Sequence, residues 1–270
     1  MTSECAVVFS RKILACFSYA LARTRSVVES EVAVTFFTEI LMIRFENIHW
    51  HTIAVQFLDQ HSNVLDLGAN LGQFSQAITK RLNCHCVAVE PAPVPFDLIP
   101  SSKYISKKRL AIGAEDGVRK FHFDKQNPVA SSFSAEGELE VEVRTLPSLM
   151  NELGWSGIDL LKADIEGAEI ELLASCSDDF LKKNVRQLTI EFHDFCGFVP
   201  VKKVRESIDR LRDIGLYGIR MSRFGHQDTW FVNSHLLPVS AGEMSYHRIV
   251  TRNFLGAKRV AKRLLGSTAA

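Results

Sequence analysis

The spacing of hydrophobic positions changes near residue 62. Before it, apolar residues recur three and four apart through Val32, Phe36, Phe37, Ile40, Leu41 and Ile43, which predicts a mostly helical extension over residues 1–60. After it, short apolar runs alternate with amphipathic ones. Asn63–Leu67 (NVLDL) predicts a strand, Gln73–Leu82 a helix and Cys84–Glu90 (CHCVAVE) a second strand, before Pro91, Pro93 and Pro95 break the chain. Lys107–Gly113, Gly157–Ala163 and Val185–Phe192 predict further strands, with a helix from Gly167 to Ser175. Lys202–Ile214 reads as an amphipathic helix with Val204, Ile208, Leu211 and Ile214 on one face. Tyr217–Arg220 and Thr229–Asn233 supply the last strands. Between Arg119 and Thr145 the period falls to two, in RKFHFD and ELEVEVRT, which predicts a β-hairpin insertion. Such alternation specifies an α/β fold with a doubly wound, mostly parallel sheet. The expected organisation is a helical extension over 1–60, an α/β domain over 61–238 and a basic tail over 239–270.

Composition narrows the partners. Lys+Arg 32 against Asp+Glu 31 leaves a formal charge of +1, so no whole-molecule field gathers a polyanion and nucleic acid is not expected. Cys5–Ser10 and Ile13–Ala22 are apolar but are interrupted by Arg11 and Lys12, whereas an export signal places its basic residues first. A helix packed on the domain and a cytoplasmic location are expected, with a membrane-surface helix as the alternative. Cys84 and Cys86, two apart on a strand, share a face, but no second cluster completes a zinc site. Buried free thiols are expected, with no metal held through cysteine. His49 and His51 flank Trp50; on a helix they face different ways and read as packing or surface residues.

Two stretches carry chemistry. In a sheet of this kind, ligands sit at the carboxyl ends of strands where the winding reverses. The first predicted strand ends in Asp66-Leu67-Gly68-Ala69-Asn70-Leu71-Gly72, whose glycines permit a sharp turn and close approach of a ligand. Positions 70 and 73 are Asn and Gln, so the G-x-G-x-x-G dinucleotide fingerprint is absent, and no G-K-[ST] follows. A nucleoside without a pyrophosphate suits this loop better than NAD or ATP. Glu90 ends the second strand, where an acid can accept hydrogen bonds from both ribose hydroxyls.

The second stretch is Leu160–Glu169 (LLKADIEGAE), followed one strand later by Ile190-Glu191-Phe192-His193-Asp194. Adjacent strands would bring Asp164, Glu166, Glu191 and His193 to one sheet edge. Carboxylates so crowded repel one another unless substrate, a cation or a proton joins them. Capping of the helix from Gly167 by Asp164 or Glu166 is the bland alternative.

The segments VLDLGANLGQFS, VAVEP, LAIGAEDG, VRTLPSLM, LLKADIEGAEIELL and IEFH, in that order, resemble the FkbM-type methyltransferases over about residues 62–193, with weaker agreement to about 234. The resemblance implies a class I Rossmann-like fold, S-adenosylmethionine as cofactor and O-methylation, often of sugar or polyketide hydroxyls. By position it implies that Asp66, Gly68, Asn70, Gly72 and Glu90 hold the cofactor, and that Asp164, Glu166, Glu191 and His193 line the substrate side. Two departures are Pro147, where the family usually has an acid, and Arg109, where Asn is common; the first bears on the insertion.

Methyl transfer to oxygen then needs alignment, which contributes roughly 7–11 kcal/mol, and a base, which contributes about 10²–10⁴-fold. His193 is the expected base, since an unperturbed pKa of about 6.5 suits neutral pH, with Glu191 or Asp194 orienting it. Asp164 and Glu166 bind sugar hydroxyls or take the base role themselves. A divalent cation on Asp164, Glu191 and His193 is a variant of the same site. A nicotinamide oxidoreductase would want the missing third glycine, and a binding scaffold without catalysis would lose the acids. The basic amphipathic residues 252–265 suit weak contact with an anionic membrane surface, or a solvated terminal helix.

Overall fold

The computed structural model describes residues 43–123, 131–133, 137 and 139–249. The helical reading of residues 1–42 and the basic stretch 252–265 lie outside them. The chain divides into two compact units, Met1–Arg44 and Phe45–Ala270, and every element below belongs to the second.

A seven-stranded sheet forms the frame. Its strands are β3 (Asn63–Leu67), β4 (His85–Val89), β5 (Ile105–Lys108), β10 (Leu160–Ala163), β11 (Gln187–Phe192), β12 (Leu216–Arg220) and β13 (His226–Asn233), in the order β12-β13-β11-β10-β3-β4-β5. Pairings across β11, β10, β3, β4 and β5 are parallel, and β13 runs antiparallel to β11. This is the expected α/β, Rossmann-like, mostly parallel sheet. The order reverses between β3 and β10, which makes their carboxyl ends the natural ligand crevice.

Both faces of the sheet are covered, which is why its strands read as continuous apolar runs. Successive residues alternate between the faces. Leu65, Leu67, Leu161 and Ala163 join one core cluster, and Val64 and Leu160 join another with Phe74, Ile78, Cys84 and Cys86. Helix α1 (Gln73–Leu82) packs on the second face. Helix α2 (Pro93–Leu98) follows β4 and starts on the predicted proline break. Helices α3 (Leu146–Glu152), α4 (Glu169–Ala174), α5 (Asp178–Asn184) and α6 (Val201–Asp213) complete the layers. Pro147 lies in the first turn of α3 behind the Thr145 cap, a place where a missing N–H costs nothing, so this departure leaves the insertion intact.

Three expectations need correction. Residues 45–57 are not helical: β1 (Phe45–Ile48) and β2 (His51–Ala54) form an antiparallel hairpin, followed by a single 3-10 turn. Its turn residues His49 and Trp50 have φ of 43° and 71°, a geometry normally signalled by Asn-Gly, and neither residue is present here. The domain therefore begins before residue 61. The predicted strand 107–113 is two strands in two sheets. β5 ends at Lys108, and β6 (Ala111–Ile112) pairs with β9 (Leu139–Arg144), because Arg109-Leu110 carries the chain off the sheet edge. The predicted hairpin is real but larger: β7 (Gly117–Phe123) pairs antiparallel with β9 and with β8 (Ser131–Phe133), giving a separate four-stranded sheet, β6-β9-β7-β8.

Candidate active site

The β3–α1 turn is built around one buried cation. Lys162 and Asp66 are register partners on adjacent strands, and their side chains meet on the α1 face with Nζ 3.0 Å from Oδ1. Lys162 Nζ also donates to the carbonyls of Gly68 (2.7 Å) and Leu67 (3.2 Å), while Ser75 Oγ donates to Asp66 Oδ2 (2.6 Å). Burial would lower the ammonium pKa, but Asp66 and then Asp164 outweigh it and raise it. Asp66 is thus fully buried and spent on Lys162 and Ser75. It shapes the turn and does not reach the crevice, a correction to its expected cofactor contact.

Gly68 turns with φ +73°, and a Cβ there would lie 1.7 Å from the Asp164 carbonyl oxygen; only glycine lets the ends of β3 and β10 abut. Gly72, at φ +76°, starts α1 and packs on Ile99, so its part is also to shape the turn. Glu90 accepts from the backbone N–H of Asn70 (2.8 Å) and of Ala92 (2.9 Å), which ties the glycine turn to the end of β4. Its burial pushes its carboxyl pKa up.

These ends open on a cleft. Gly68, Asn70, Glu90, Asp164 and Glu166 line it, together with apolar Val89, Pro91, Leu110, Ala111 and Ile112. Asn70 Oδ1 is buried without a hydrogen-bond partner, an acceptor left for a ligand. Asn70 and Glu166, facing the cleft, both hold positive φ (49° and 50°), strain of the kind that clusters at functional sites.

At the acidic end, His193 is gripped on both nitrogens. Nδ1 lies 2.7 Å from Oε1 of the fully buried Glu169, and Nε2 lies 3.3 Å from Glu166 Oε2 and 3.6 Å from Asp164 Oδ1. Carboxylates close to both nitrogens favour the charged form of the imidazole. Burial alone would lower its pKa, but Glu169, then Glu166 and Asp164, raise it to about 9. His193 as a neutral base is therefore corrected. Its orienting partner is also corrected: Glu169 fills that place, while Asp194 binds the N–H and Nδ1 of His226 at 2.9 and 2.7 Å. Asp164 is held well below the usual range, since Lys162, His51 and His193 outweigh its burial. Burial and the charge of Asp164 push Glu191 up to about 7.

Glu191 and His193 fall in separate clusters around Asp164. A register shift between Ile190 and Phe192 interrupts the alternation of β11, and Glu169 draws His193 to the far side of Asp164. The trio Asp164, Glu191 and His193 consequently does not converge. His51, passed over in the sequence because a helix would have scattered it, stands beside Asp164 and Glu191 instead. A strand assignment for HTIA was the signal that could have found it. Cys84, Cys86 and Cys176 are free and buried as expected, whereas Cys196 is free but exposed; Cys5 and Cys16 lie outside the described residues.

Residues 66–217, more than half of the chain, match the family described as the methyltransferase FkbM domain. The chain belongs to the FkbM methyltransferase family. The match spans the glycine turn, Glu90 and both acidic strand ends, and leaves out the hairpin that bears His51. The AMB antimetabolite synthetase AmbE of Pseudomonas aeruginosa is 31% identical over 178 residues, 48% of this chain and 8% of that protein. The 31-O-demethyl-FK506 methyltransferase FkbM of Streptomyces tacrolimicus is 27% identical over 173 residues, 50% of this chain and 66% of that one. The crystal structure of methyltransferase FkbM from Methylobacillus flagellatus KT superposes with a TM-score of 0.45 at 11% identity, over 65% of this chain and 44% of that one. The chain thus spans less than two thirds of each of these proteins. No helix among the described residues is long and apolar enough to cross a membrane.

Proposed function

We propose that the protein is an S-adenosylmethionine-dependent O-methyltransferase acting on a hydroxyl of a sugar- or glycan-type acceptor. The observation that carries this reading is a single cleft lined by two chemically different sets of polar residues. Glu90 and Asn70 offer carboxylate lone pairs and an unpaired amide oxygen beside an apolar surface, which fits a ribose, a polar tail and a flat base. The same cleft offers Asp164 and Glu166, acceptors suited to hydroxyl donors. Transfer to oxygen is also favoured by the Streptomyces relative, whose name specifies a 31-O position.

When bound, S-adenosylmethionine supplies a methyl group already activated on a sulfonium. The chain's own residues then have two tasks. Asp164 accepts a hydrogen bond from the acceptor hydroxyl and aligns it. Glu166 takes the hydroxyl proton as the new C–O bond forms and the methyl–sulfur bond breaks, and His193, fixed through Glu169, stands 3.3 Å from Glu166 and holds it in place by its charge. His193 and Glu169 are positioning residues in this scheme. The free thiols fit a reducing, cytoplasmic setting.

The experiment is methyl transfer from radiolabelled donor to a panel of sugars and glycans, comparing wild type with Glu166→Gln. The proposal expects turnover in wild type, a loss of about 10²-fold or more in Glu166→Gln, and donor binding in both. Equal turnover in the variant would remove Glu166 from the role of base.

A further inference from the structure

The acidic end of the cleft holds one further charge arrangement, of which the methyl-transfer scheme uses Asp164 alone. Lys162 and Thr189 are register partners on β10 and β11, so Asp164 and Glu191, each two residues further on, extend the row toward the strand ends. The hairpin lies over this row. It is fastened by Gln187, which bonds the N–H and carbonyl of Ala54 at 3.1 and 3.3 Å, and by Asp228, which takes the N–H and hydroxyl of Thr52 at 3.1 and 2.5 Å. That fastening holds His51, 2% exposed, against the acids.

His51 Nδ1 lies 3.5 Å from Thr189 Oγ1, which leaves Nε2 directed at Asp164 Oδ2, 3.9 Å away. That separation is too long for a hydrogen bond. It matches two ligands on one ion, since bonds of about 2.1 Å at right angles or opposite one another place their donor atoms roughly 3–4 Å apart. Glu191 completes the group: one atom from each of His51, Asp164 and Glu191 lies within 4.8 Å of the others. Glu191 is half-buried beside Asp164 and makes no hydrogen bond or ion pair among the described residues. The nearby cations are occupied, Lys162 by Asp66 and the carbonyls of the turn, and His193 by Glu169 and Glu166.

We propose that His51 Nε2, Asp164 and Glu191 bind one divalent transition-metal ion of the Mn²⁺ class. One imidazole with two carboxylates is too rich in nitrogen for a calcium cage and has too little sulfur for a soft metal, and it leaves positions open toward the cleft. Thr189 orients the imidazole from the outer shell. A second trio, Asp164, Glu166 and His193, also converges, but His193 Nδ1 is hydrogen-bonded to Glu169 and its Nε2 is ion-paired with Glu166 at 3.3 Å. The site lies outside the family match in its histidine, and it stands on the three ligands alone. Its failure would leave the donor-binding reading untouched.

The test is titration of the chelator-treated, dialysed full chain with MnCl₂ alone, followed by electron paramagnetic resonance of free Mn²⁺ and by calorimetry. Wild type is expected to bind one ion per chain and to gain thermal stability from it. His51→Gln and Glu191→Gln are each expected to weaken binding by about tenfold or more, and His193→Gln to leave it within about threefold. Glu191→Gln alters a half-buried position and its folding is checked by circular dichroism, so a folded variant that has lost the ion supports the site. Absence of binding in wild type, or loss that follows His193 and spares His51 and Glu191, overturns it.

Discussion

Glu169, with no exposed side-chain surface, holds Nδ1 of His193 at 2.7 Å. The pair supplies the acidic end of the cleft with a fixed positive charge, and its consequence is a pH-dependent stability. His193 is raised from 6.5 to about 9 in the folded chain, so its contribution is fully present below about pH 6.5 and is lost as pH rises through about 9. The contribution is on the order of 2 kcal/mol. Thermal unfolding in the presence of chelator is expected to show wild-type stability falling between these limits, and His193→Gln losing much of that slope. Parallel pH profiles for the two proteins would contradict the pairing.

Lys162 is a buried charge on which Asp66 depends. Lys162→Met should destabilise the fold by about 3–5 kcal/mol, because Asp66 is left without its counter-charge. Adding Asp66→Asn should recover part of that loss. Urea unfolding of the single and double variants measures both; a double variant no more stable than the single would show that the pair is not the source.

The strand ends of β3 and β10 meet only because residue 68 is glycine. Gly68→Ala meets both an unfavourable φ of +73° and a Cβ 1.7 Å from the Asp164 carbonyl, whereas Gly154→Ala, at φ +66°, has open space around it. The second change should cost about 1 kcal/mol and the first clearly more, with weakened donor binding. Similar denaturation midpoints for the two variants would count against the close approach.

Burial pushes the Cys84 and Cys176 thiols up to about 11, and Cys86 well above the ordinary thiol range. Of these four free cysteines, Cys196 alone is exposed. Alkylation of the native protein at neutral pH, mapped by mass spectrometry, should label Cys196 and spare the other three until the chain is unfolded. Fast labelling of Cys86 in the native state would refute the packing of α1 on β4.

The sheet was legible in the sequence because strands buried on both faces must be largely apolar, and NVLDL and CHCVAV are, apart from Asn63, Asp66 and His85. The cleft was legible because glycines and terminal acids punctuate those runs. What stayed hidden has local causes. His49 and Trp50 turn a hairpin without the residues that usually announce one, so His51 was set on a helix and discounted. Glu169 stood in the sequence as one acid of the LLKADIEGAE block, and only the fold shows that its side chain reaches back to His193. Asp66 looked like a ligand-facing acid. Its buried partner Lys162, nearly a hundred residues away in sequence, decided otherwise.

The central claim is that the turn after β3 and the acid ending β4 hold the nucleoside end of a methyl donor. Calorimetric titration of S-adenosylmethionine and its demethylated product into wild type and Glu90→Ala tests it most directly. Saturable binding at one site per chain is expected in wild type, weakened roughly 10–100-fold in Glu90→Ala by the loss of a charge-assisted hydrogen-bond acceptor. A wild-type protein that binds neither compound, or a folded Glu90→Ala variant that binds them as tightly, would contradict the account.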